Sequence, residues 1–441
     1  MTTNTPTMAR RTILSGSLAL GGLALLSACA SPSGSGSGSS SGGGSKTGFS
    51  MSNWSDAPAV SELYIKIVAD YEKSTGVKVD RLANIAFNDY NTKFRTLLAG
   101  GQPPDVMRLN DDFLREMADK KLVRDLAPYF KGKDGINVAD YYADVLDFGK
   151  FGSAYRALPI GLSPRVIYYN KTAFQAAGVP LPPSTWTMKG WSWDDFLSAA
   201  QALTKGTEQY GLEMTLDSGI EESWPRNNGG PGIYSKDGRT FTLAEDQGVE
   251  AMQWIADLAV KHKVGPQWAS IQGTNAHFDL FTTGKVTMNM GPMSDYTYYQ
   301  GAIKDFEWGI APLPGKVDQV QTGGFTLFVI PSKAKNPDAA WDFLHYLSGE
   351  AGGQVFASNA AFIPVNRKAA ATVGAAGSIA KGDLKLFVEA ADHQGTTNSV
   401  TAASQSVALY RPLLQQAYAG GTTVKKAFDG VKDQINSLLK A

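Results

Sequence analysis

The sequence predicts an α/β protein built from two lobes, each a largely parallel sheet flanked by helices. Two observations lead to this fold class. Segments with the alternating pattern of strands are interleaved with amphipathic helical segments, which is the order of βαβ units. The chain is also long, because about 400 residues follow an N-terminal leader, more than one compact core accommodates.

The first predicted elements of the folded body form one βαβ unit. Apolar residues recur at helical spacing from Val60, Asp56 is placed to cap the start of this helix, and Gly76 ends it. The segment "VKVD" then alternates as a strand, and a second apolar stripe over 90–98 predicts another helix. "PPDVMRL" enters the next strand. This order predicts parallel pairing.

Later elements carry clear start and stop signals. Ser192 and Asp195 approximate a capping box, and "GGFTLFVIP" is a strand. Asn336 and Pro337 supply a cap and a first-turn proline for the helix "DAAWDFLHYL", which Gly349 ends. A last apolar stripe predicts one closing helix that buries Val424, Phe428, Val431, Ile435 and Leu438.

The N-terminal leader is typical of an export signal. Arg10 and Arg11 precede an apolar stretch over 13–26, which is shorter than the roughly 20 residues that a membrane-spanning helix needs. The paired arginines resemble a twin-arginine signal, so the export route stays open between that pathway and the general secretory one. We assign residues 1–28 to a signal peptide.

Cys29 is the only cysteine of the chain, so it cannot form an intramolecular disulfide. The segment "LSAC" at 26–29 resembles the bacterial lipobox, in which the sulfur carries a lipid. Residues 31–45 form a Ser/Gly-rich stalk with the composition of a flexible linker. We therefore predict a lipidated Cys29 and a linker over 29–45; the alternative is an ordinary signal peptide with an incidental cysteine.

Charge and motifs exclude several function classes. Without the two leader arginines the chain carries 39 basic and 41 acidic residues, which disfavours nucleic acid as a partner. No phosphate-binding loop is present, "GLSPR" at 161–165 lacks the last glycine of a nucleophile elbow, and no two histidines have metal-ligand spacing. We predict no catalytic residues, no metal and no cofactor.

Acids and aromatics point instead to ligand binding. Asp111 directly follows the strand "DVMRL", at the edge where ligands bind in open α/β sheets. Trp54, Trp191, Trp193 and Trp224 lie in loop-like surroundings, where flat rings are available as platforms. Apolar ring faces beside carboxylate and amide groups suit sugars, although loop tryptophans also fill interfaces between lobes.

Six segments occur in order over roughly 50–441, behind a lipoprotein signal: "YEKSTGVKVD", "LLAGGQPPDV", "ADKKLVRDLAPY", "ALPIGLSPRVIYYNKTAFQAAGVPLPPSTW", "GGFTLFVIPSKAKNPDAAWDFLHYLSG" and "FIPVNR". Together they resemble the extracellular solute-binding proteins of ATP-binding-cassette (ABC) sugar importers, of the maltose-binding type. The resemblance implies a periplasmic-binding-protein-like fold with one lobe over 46–161 plus 324–370 and the other over 166–320 plus 375–441. "GLSPR" and "QTGG" would be the hinge crossovers.

The resemblance also implies ligand-binding positions. An aromatic or polar group after the first strand corresponds to Trp54 and Ser55. An acid that follows a strand in the family corresponds to Asn110 and Asp111, the last two residues of "MRLND". Met293 stands where relatives have an aromatic platform, unless Tyr296 replaces it. The remaining positions that the family implies are Trp224, Gly323, Gly324 and Phe325.

These observations predict a non-enzymatic, monomeric receptor, lipid-anchored on the extracellular face of the cell membrane. It would capture a mono- or oligosaccharide between its lobes and deliver it to the transmembrane subunits of an ABC permease. One alternative is a surface-anchored glycan-degrading enzyme. Another is the same class of receptor with a polyol or phosphorylated polyol as ligand, which an excess of cations at Arg165 and Arg226 would favour.

Overall fold

The computed structural model divides the chain into two units, 1–45 and 46–441. It describes 48–441 except for 56–57, 110, 132–134, 215–216, 272–275, 375–380, 396, 399 and 441. The predicted signal peptide, Cys29 and the Ser/Gly stalk lie outside the described residues. Within those residues, no helix is both long and apolar enough to cross a membrane.

The strands of the described residues fall into one large sheet, one small sheet and a hairpin. Their bounds are β1 (Phe49–Ser55), β2 (Val79–Ala86), β3 (Val106–Leu109), β4 (Lys150–Phe151), β5 (Ala154–Tyr155), β6 (Leu158–Ser163), β7 (Arg165–Asn170), β8 (Met288–Pro292), β9 (Trp308–Ala311), β10 (Gly324–Val329) and β11 (Ile363–Pro364).

Helices cover the sheets and supply most of the remaining regular structure. Those up to the second crossover are α1 (Pro58–Thr75), α2 (Phe87–Ala99), α3 (Asp111–Asp119), α4 (Ala127–Phe130), α5 (Ala143–Asp147), α6 (Lys171–Ala176), α7 (Trp193–Leu203), α8 (Ser218–Asn227), α9 (Asp246–Val260), α10 (Ala276–Thr282) and α11 (Asp295–Ala302). Those after it are α12 (Pro337–Ser348), α13 (Glu350–Ser358), α14 (Arg367–Ala370), α15 (Lys381–Asp392), α16 (Ala403–Tyr418), α17 (Val424–Asp429) and α18 (Lys432–Lys440). Short 3₁₀ helices span Val138–Asp140, Thr242–Ala244 and Trp268–Ser270.

The large sheet has the strand order β11-β6-β10-β3-β1-β2. β1 pairs in parallel with β2 and β3, as the βαβ order predicts. β10 is antiparallel to β3 and β6, and β11 is antiparallel to β6. The expectation of a largely parallel sheet is therefore wrong for half of this sheet, because β6, β10 and β11 join it from distant parts of the chain rather than through successive βα units.

The small sheet has the order β8-β7-β9, and both of its pairings are antiparallel. Parallel contact is limited to isolated bridges such as the one between Glu213 and Asn289. The α/β class is confirmed, whereas the predicted parallel arrangement is wrong here as well. The connection from β8 to β9 through α11 places these two strands on opposite edges of β7, and both run in the direction opposite to β7.

The crossover between the sheets occurs where the sequence predicted hinges. β6 ends at Ser163 in the large sheet, and β7 begins at Arg165 in the small sheet. The side-chain oxygen of Gln321 accepts hydrogen bonds from the backbone N–H groups of Arg165 (3.1 Å) and Gly323 (2.7 Å). One amide therefore links both crossing segments. The exact bounds of the two lobes stay a prediction.

Several local predictions can be compared with the structure. The capping box of Ser192 and Asp195 is confirmed at the start of α7. The predicted single closing helix is wrong, because the helix ends at Asp429, Gly430 caps it, and α18 follows as a separate helix. A glycine inside a helix lowers its stability by about 1 kcal/mol relative to alanine, so a break at Gly430 is physically reasonable.

The predicted side-chain cap of α12 is also corrected. Asn336 occupies the capping position, but its side chain makes no capping hydrogen bond. Its backbone N–H instead donates to Asp105 Oδ1 (2.8 Å), just ahead of β3. The same carboxylate accepts from the backbone N–H of Ser50 in β1 (2.9 Å). Asp105 thus fixes α12 against the strands that lead to the cleft.

Candidate functional site

A cleft with a volume of about 280 Å³ lies where strands of the two sheets end. We call the wall formed by strands of the large sheet the first wall. The second wall is formed by β7, α8 and the segment after β8. The lining residues are Trp54, Arg108, Ser163, Arg165, Ser218, Gly219, Glu222, Pro292, Ser294, Thr322, Gly324, Phe325, Thr326 and Thr397.

A cation stacked on an aromatic ring dominates the first wall. The guanidinium carbon of Arg108 lies 3.7 Å from the centroid of the Trp54 ring. Trp54 meets the Tyr90 ring edge-on at 5.3 Å, so the indole is held from behind. Because β1 and β3 are neighbouring parallel strands, their ends bring these two side chains together. The pair therefore offers the cleft hydrogen-bond donors of Arg108 that are held over an aromatic ring.

Phe325 provides a second aromatic surface at the start of β10. Its ring stacks on Phe148 with centroids 4.1 Å apart and an interplanar angle of 25°. Gly324 lies beside it, exposed and with open space where a side chain would be. A Cβ on Gly323 would lie 2.2 Å from the Ser163 carbonyl oxygen, so this glycine permits the close approach of the crossing segments.

On the second wall, the positive charges of two arginines are each paired with a carboxylate. Arg165 Nη1 lies 3.0 Å from Asp217 Oδ2, and Glu222 Oε2 accepts from Arg226 Nε at 3.1 Å. Arg165 Nε is buried without a hydrogen-bond partner among the described residues. Each arginine that the sequence singled out as a possible phosphate ligand therefore has a carboxylate beside it. The second wall has no excess of positive charge.

Asp295 begins α11, close to the second wall. Burial raises the pKa of its carboxyl to about 7, and the positive charge of Arg165 opposes this rise. The nearby Asp217 carboxylate adds to it. The carboxyl of Asp295 therefore keeps its proton to a higher pH than an exposed aspartate does.

Comparison with known proteins identifies the family. The profile of the bacterial extracellular solute-binding proteins matches residues 57–354. The chain belongs to this family. Membership implies an extracellular or periplasmic location for this solute-binding protein.

Individual relatives agree with this assignment. A binding protein of Brucella abortus is 27% identical over 294 residues, which cover 63% of this chain and 66% of the relative, just under two thirds of its length. The erythritol/L-threitol-binding protein of Mycolicibacterium smegmatis is 26% identical over 378 residues, 76% of each chain. An ABC substrate-binding protein of Listeria monocytogenes, solved with cycloalternan, has a TM-score of 0.80 at 22% identity and covers 90% of this chain and 99% of its own. This last likeness shows the two-lobed fold.

Among the predicted residues, Trp54, Gly324 and Phe325 line the cleft of the solute-binding protein. Gly323 is buried directly behind it. Asn110 lies outside the described residues, as do the side chains of Ser55 and Asp111. The backbone places Ser55 at the end of β1 and Asp111 at the start of α3. Ligand contact by any of the predicted residues stays a prediction.

Trp224 does not reach the cleft. It is completely buried, stacked on Trp254 with centroids 5.0 Å apart and tilted against Trp193, also at 5.0 Å. Trp191 and Trp193 are 3% exposed, so the expectation of three open platforms is wrong in this structure. The sequence around Trp224 looked like a loop, but α8 continues through Pro225 to Asn227 and turns the indole into the core.

Met293 and Tyr296 also lie in a core rather than in the cleft. Met293 is completely buried, and its N–H donates to the Pro164 carbonyl (2.8 Å). The Tyr296 hydroxyl donates to Asp383 Oδ2 (2.9 Å), and its ring contacts Trp308 edge-on. Tyr296 therefore does not replace the platform that Met293 lacks; the neighbouring Pro292 and Ser294 line the cleft instead.

Sequence reasoning missed Arg108 and Glu222 as lining residues. Arg108 had a detectable signal, since it is a charged residue inside the buried strand "VMRL", just ahead of Asp111. Glu222 follows Glu221 in α8, and Glu221 is completely buried and accepts hydrogen bonds from Arg411 and from Tyr410. Within the described residues, no group of three His, Cys, Asp or Glu side chains could hold a metal ion.

Proposed function

We propose that this solute-binding protein is the substrate-binding component of an ABC importer and captures a carbohydrate between its two lobes. The observation that carries the proposal is the cleft, in which the Trp54–Arg108 pair and Phe325 face Arg165 and Glu222. Sugar rings have apolar faces that stack on aromatic rings and hydroxyl edges that exchange hydrogen bonds with charged groups. The cleft offers both kinds of contact.

Closure of the lobes would couple binding to delivery. A ligand shifts the equilibrium toward the closed form only if it binds that form better than the open one. Gln321 supports this role, because its side chain bonds to both crossing segments and lies beside the cleft residue Thr322. A hinge that is hydrogen-bonded in this way allows rotation of the lobes without separating them.

The proposal also covers how the protein is anchored to the membrane and which partners it has. Cys29 carries the lipid that holds the protein to the extracellular face of the membrane, and the Ser/Gly stalk lets the body turn toward its permease. The protein acts as a monomer without a cofactor. Asp111, with Ser55 and Asn110, adds hydrogen-bond partners for ligand hydroxyls.

A polyol is the second candidate ligand, because a relative that covers 76% of this chain is named for erythritol and L-threitol binding. A phosphorylated polyol is less favoured. The carboxylates of Asp217 and Glu222 form ion pairs with Arg165 and Arg226, respectively. An anionic ligand would therefore have to compete with these carboxylates for the arginines. A neutral carbohydrate or polyol meets no such competition.

A thermal-shift screen tests the proposal. The full-length protein is heated with matched sugars, polyols, amino acids and polyamines. A ligand at 100 times its dissociation constant stabilises the folded state by about 2.7 kcal/mol. We expect a carbohydrate to give the largest shift. A shift with an amino acid or polyamine and none with any carbohydrate or polyol would contradict the proposal.

The same samples test the rival function of a glycan-degrading enzyme. We expect the stabilising sugar to be recovered unchanged after prolonged incubation, as chromatography of the ultrafiltrate would show. Recovery of shorter saccharides, absent from a protein-free control, would instead favour the enzyme.

A further inference from the structure

Phe148 lies directly after α5, next to the aromatic residue of the first wall. Its ring stacks on the ring of Phe325, with centroids 4.1 Å apart. Both side chains pack with one apolar cluster of the large sheet, which also includes Leu162 and Leu327. Phe148 is only half-buried, so the surrounding residues leave part of its side chain exposed.

Apolar residues of the other lobe face Phe148 across a small cavity. Phe148 lines this cavity of about 20 Å³ together with Ile233, Val400, Ala403 and Val407, which we call the socket. The socket residues lie in or pack against the apolar cluster that contains residues of β7 and β8, so they belong to the lobe of the small sheet. A cavity of this size holds about one water molecule, so Phe148 lies close to the socket.

The small cavity lies beside the binding cleft. Ser218, Glu222 and Thr397 line both spaces. Phe325 lines the cleft, and Phe148, which stacks on it, lines the small cavity. Phe148 is therefore placed between a wall of the cleft and the opposite lobe.

A hydrogen bond joins the same two lobes near the socket. The hydroxyl of Thr401, just ahead of α16, donates to Asp119 Oδ2 at the end of α3. α3 packs on the large sheet through Leu114 and Met117. Because Thr401 is only two residues from Ala403 of the socket, this bond holds the start of α16 against the lobe that carries Phe148.

These contacts exist only while the lobes are together. A rotation about the crossover that separates the two walls of the cleft would expose Phe148 and the socket to water, at a cost that grows with the apolar area exposed. The apparent affinity for a ligand is its intrinsic affinity reduced by the fraction of molecules in the binding-competent form. A contact between lobes that stabilises the closed form therefore raises the affinity without touching the ligand.

We infer that Phe148 is a positioning residue for carbohydrate capture, which holds Phe325 in the cleft and closes against the socket of the opposite lobe. This inference rests on the proposed function and adds to it a contact that sets the affinity from outside the cleft. Phe148 couples the occupied first wall to the start of α16.

Calorimetry of the full-length protein tests the inference. The panel contains mono-, di- and trisaccharides of glucose, xylose, arabinose and mannose, and erythritol, and the probe is the member that the wild type binds most tightly. Phe148→Ala should raise the Kd of this probe about tenfold or more, because a few aromatic residues dominate the energy of most contacts between protein surfaces. Phe148→Leu retains apolar contact with the socket and should recover part of the affinity.

Val407→Thr changes the socket from the other lobe and leaves the stack of Phe148 on Phe325 intact. Threonine has nearly the shape of valine but puts a hydroxyl into an apolar contact. The Kd should rise through faster dissociation with little change in the association rate constant, as stopped-flow measurements would show. Val260→Thr is the matched control, since Val260 at the end of α9 lines neither the cleft nor the small cavity. It should bind the probe as the wild type does.

The double variant shows whether the two residues act through their mutual contact. Val407→Thr should then weaken binding less in the Phe148→Ala background than in the wild type. Fully additive effects, or an unchanged affinity of Phe148→Ala, would overturn the inference but leave the proposed function standing. No binding of any member of the panel by the wild type would overturn both.

Discussion

The guanidinium group of Arg108 lies over the indole ring of Trp54, 3.7 Å from its centroid, at the point where β1 and β3 end in the cleft. Both residues are less than one tenth exposed, so the stacked pair is held in place before a ligand arrives. Preorganisation of this kind reduces the entropy lost on binding. It also makes Arg108 the cation that is best placed to meet a ligand on the first wall.

Arg108→Met should weaken carbohydrate binding about tenfold or more, because a hydrogen bond from a charged donor contributes about 1.5–3 kcal/mol. Methionine retains apolar contact with Trp54, so the melting temperature of the free protein should change little. Arg95→Met is the matched control, since Arg95 also lies over an aromatic ring, that of Phe113, but does not line the cleft. Equal affinities of the two variants in calorimetry would argue against Arg108 as a ligand contact.

Trp224→Ala should destabilise the free protein by about 3–5 kcal/mol, because removal of a fully buried tryptophan leaves a large cavity. Trp224→Phe should destabilise it less, since it retains part of the stacking on Trp254. Urea unfolding gives the stability, and calorimetry on the same preparations gives the affinity. Wild-type stability of Trp224→Ala together with lost sugar binding would restore Trp224 as a ligand platform.

Asp295 should make stability depend on pH. The folded carboxyl titrates at about 7 and the unfolded one near 3.8, so between these values the folded state holds more protons. The free energy of unfolding should therefore fall as pH rises from about 4 to 7, by at most about 1.4 kcal/mol per pH unit from this group. Asp295→Asn removes the titration. Urea unfolding at pH 5 and pH 8 should show a smaller difference in the variant, and equal differences would show that Asp295 is not the group.

Local sequence signals predicted much of the fold. Gly76 follows α1 with a positive φ, the Ser192–Asp195 capping box begins α7, and Pro337 opens α12 as expected. These signals act within a few residues, so the local sequence suffices to detect them. The antiparallel pairing of β10 with β3 and β6 depends on segments more than 150 residues apart, which no local pattern encodes.

The candidate site was predicted less completely. Trp54, Gly324 and Phe325 lie at strand ends, where the rule for α/β sheets places ligands. The prediction for Trp224 was wrong because Pro225 and the following glycines indicated a loop, since proline disfavours a helix interior, whereas α8 continues through Pro225 to Asn227. Glu222 pairs with Arg226 four residues later on α8, but its burial and its place in the cleft depend on tertiary packing, which the local sequence does not encode.

Cys29→Ala should release the protein from membranes or block its processing, because the thiol is the only one in the chain and lies between the predicted signal and the stalk. Membrane fractionation and incorporation of labelled fatty acid measure this directly. Ser27→Thr, which retains the thiol, serves as the control. Unchanged fractionation and labelling of Cys29→Ala would exclude the lipid anchor.

A crystal structure of the full-length protein with the carbohydrate that stabilises it most would locate the ligand directly. We expect an intact saccharide between the Trp54–Arg108 pair and Phe325 on one side and Arg165 and Glu222 on the other. Density for the ligand outside this cleft, or for a cleaved saccharide within it, would show that the cleft is not the binding site of a carbohydrate receptor.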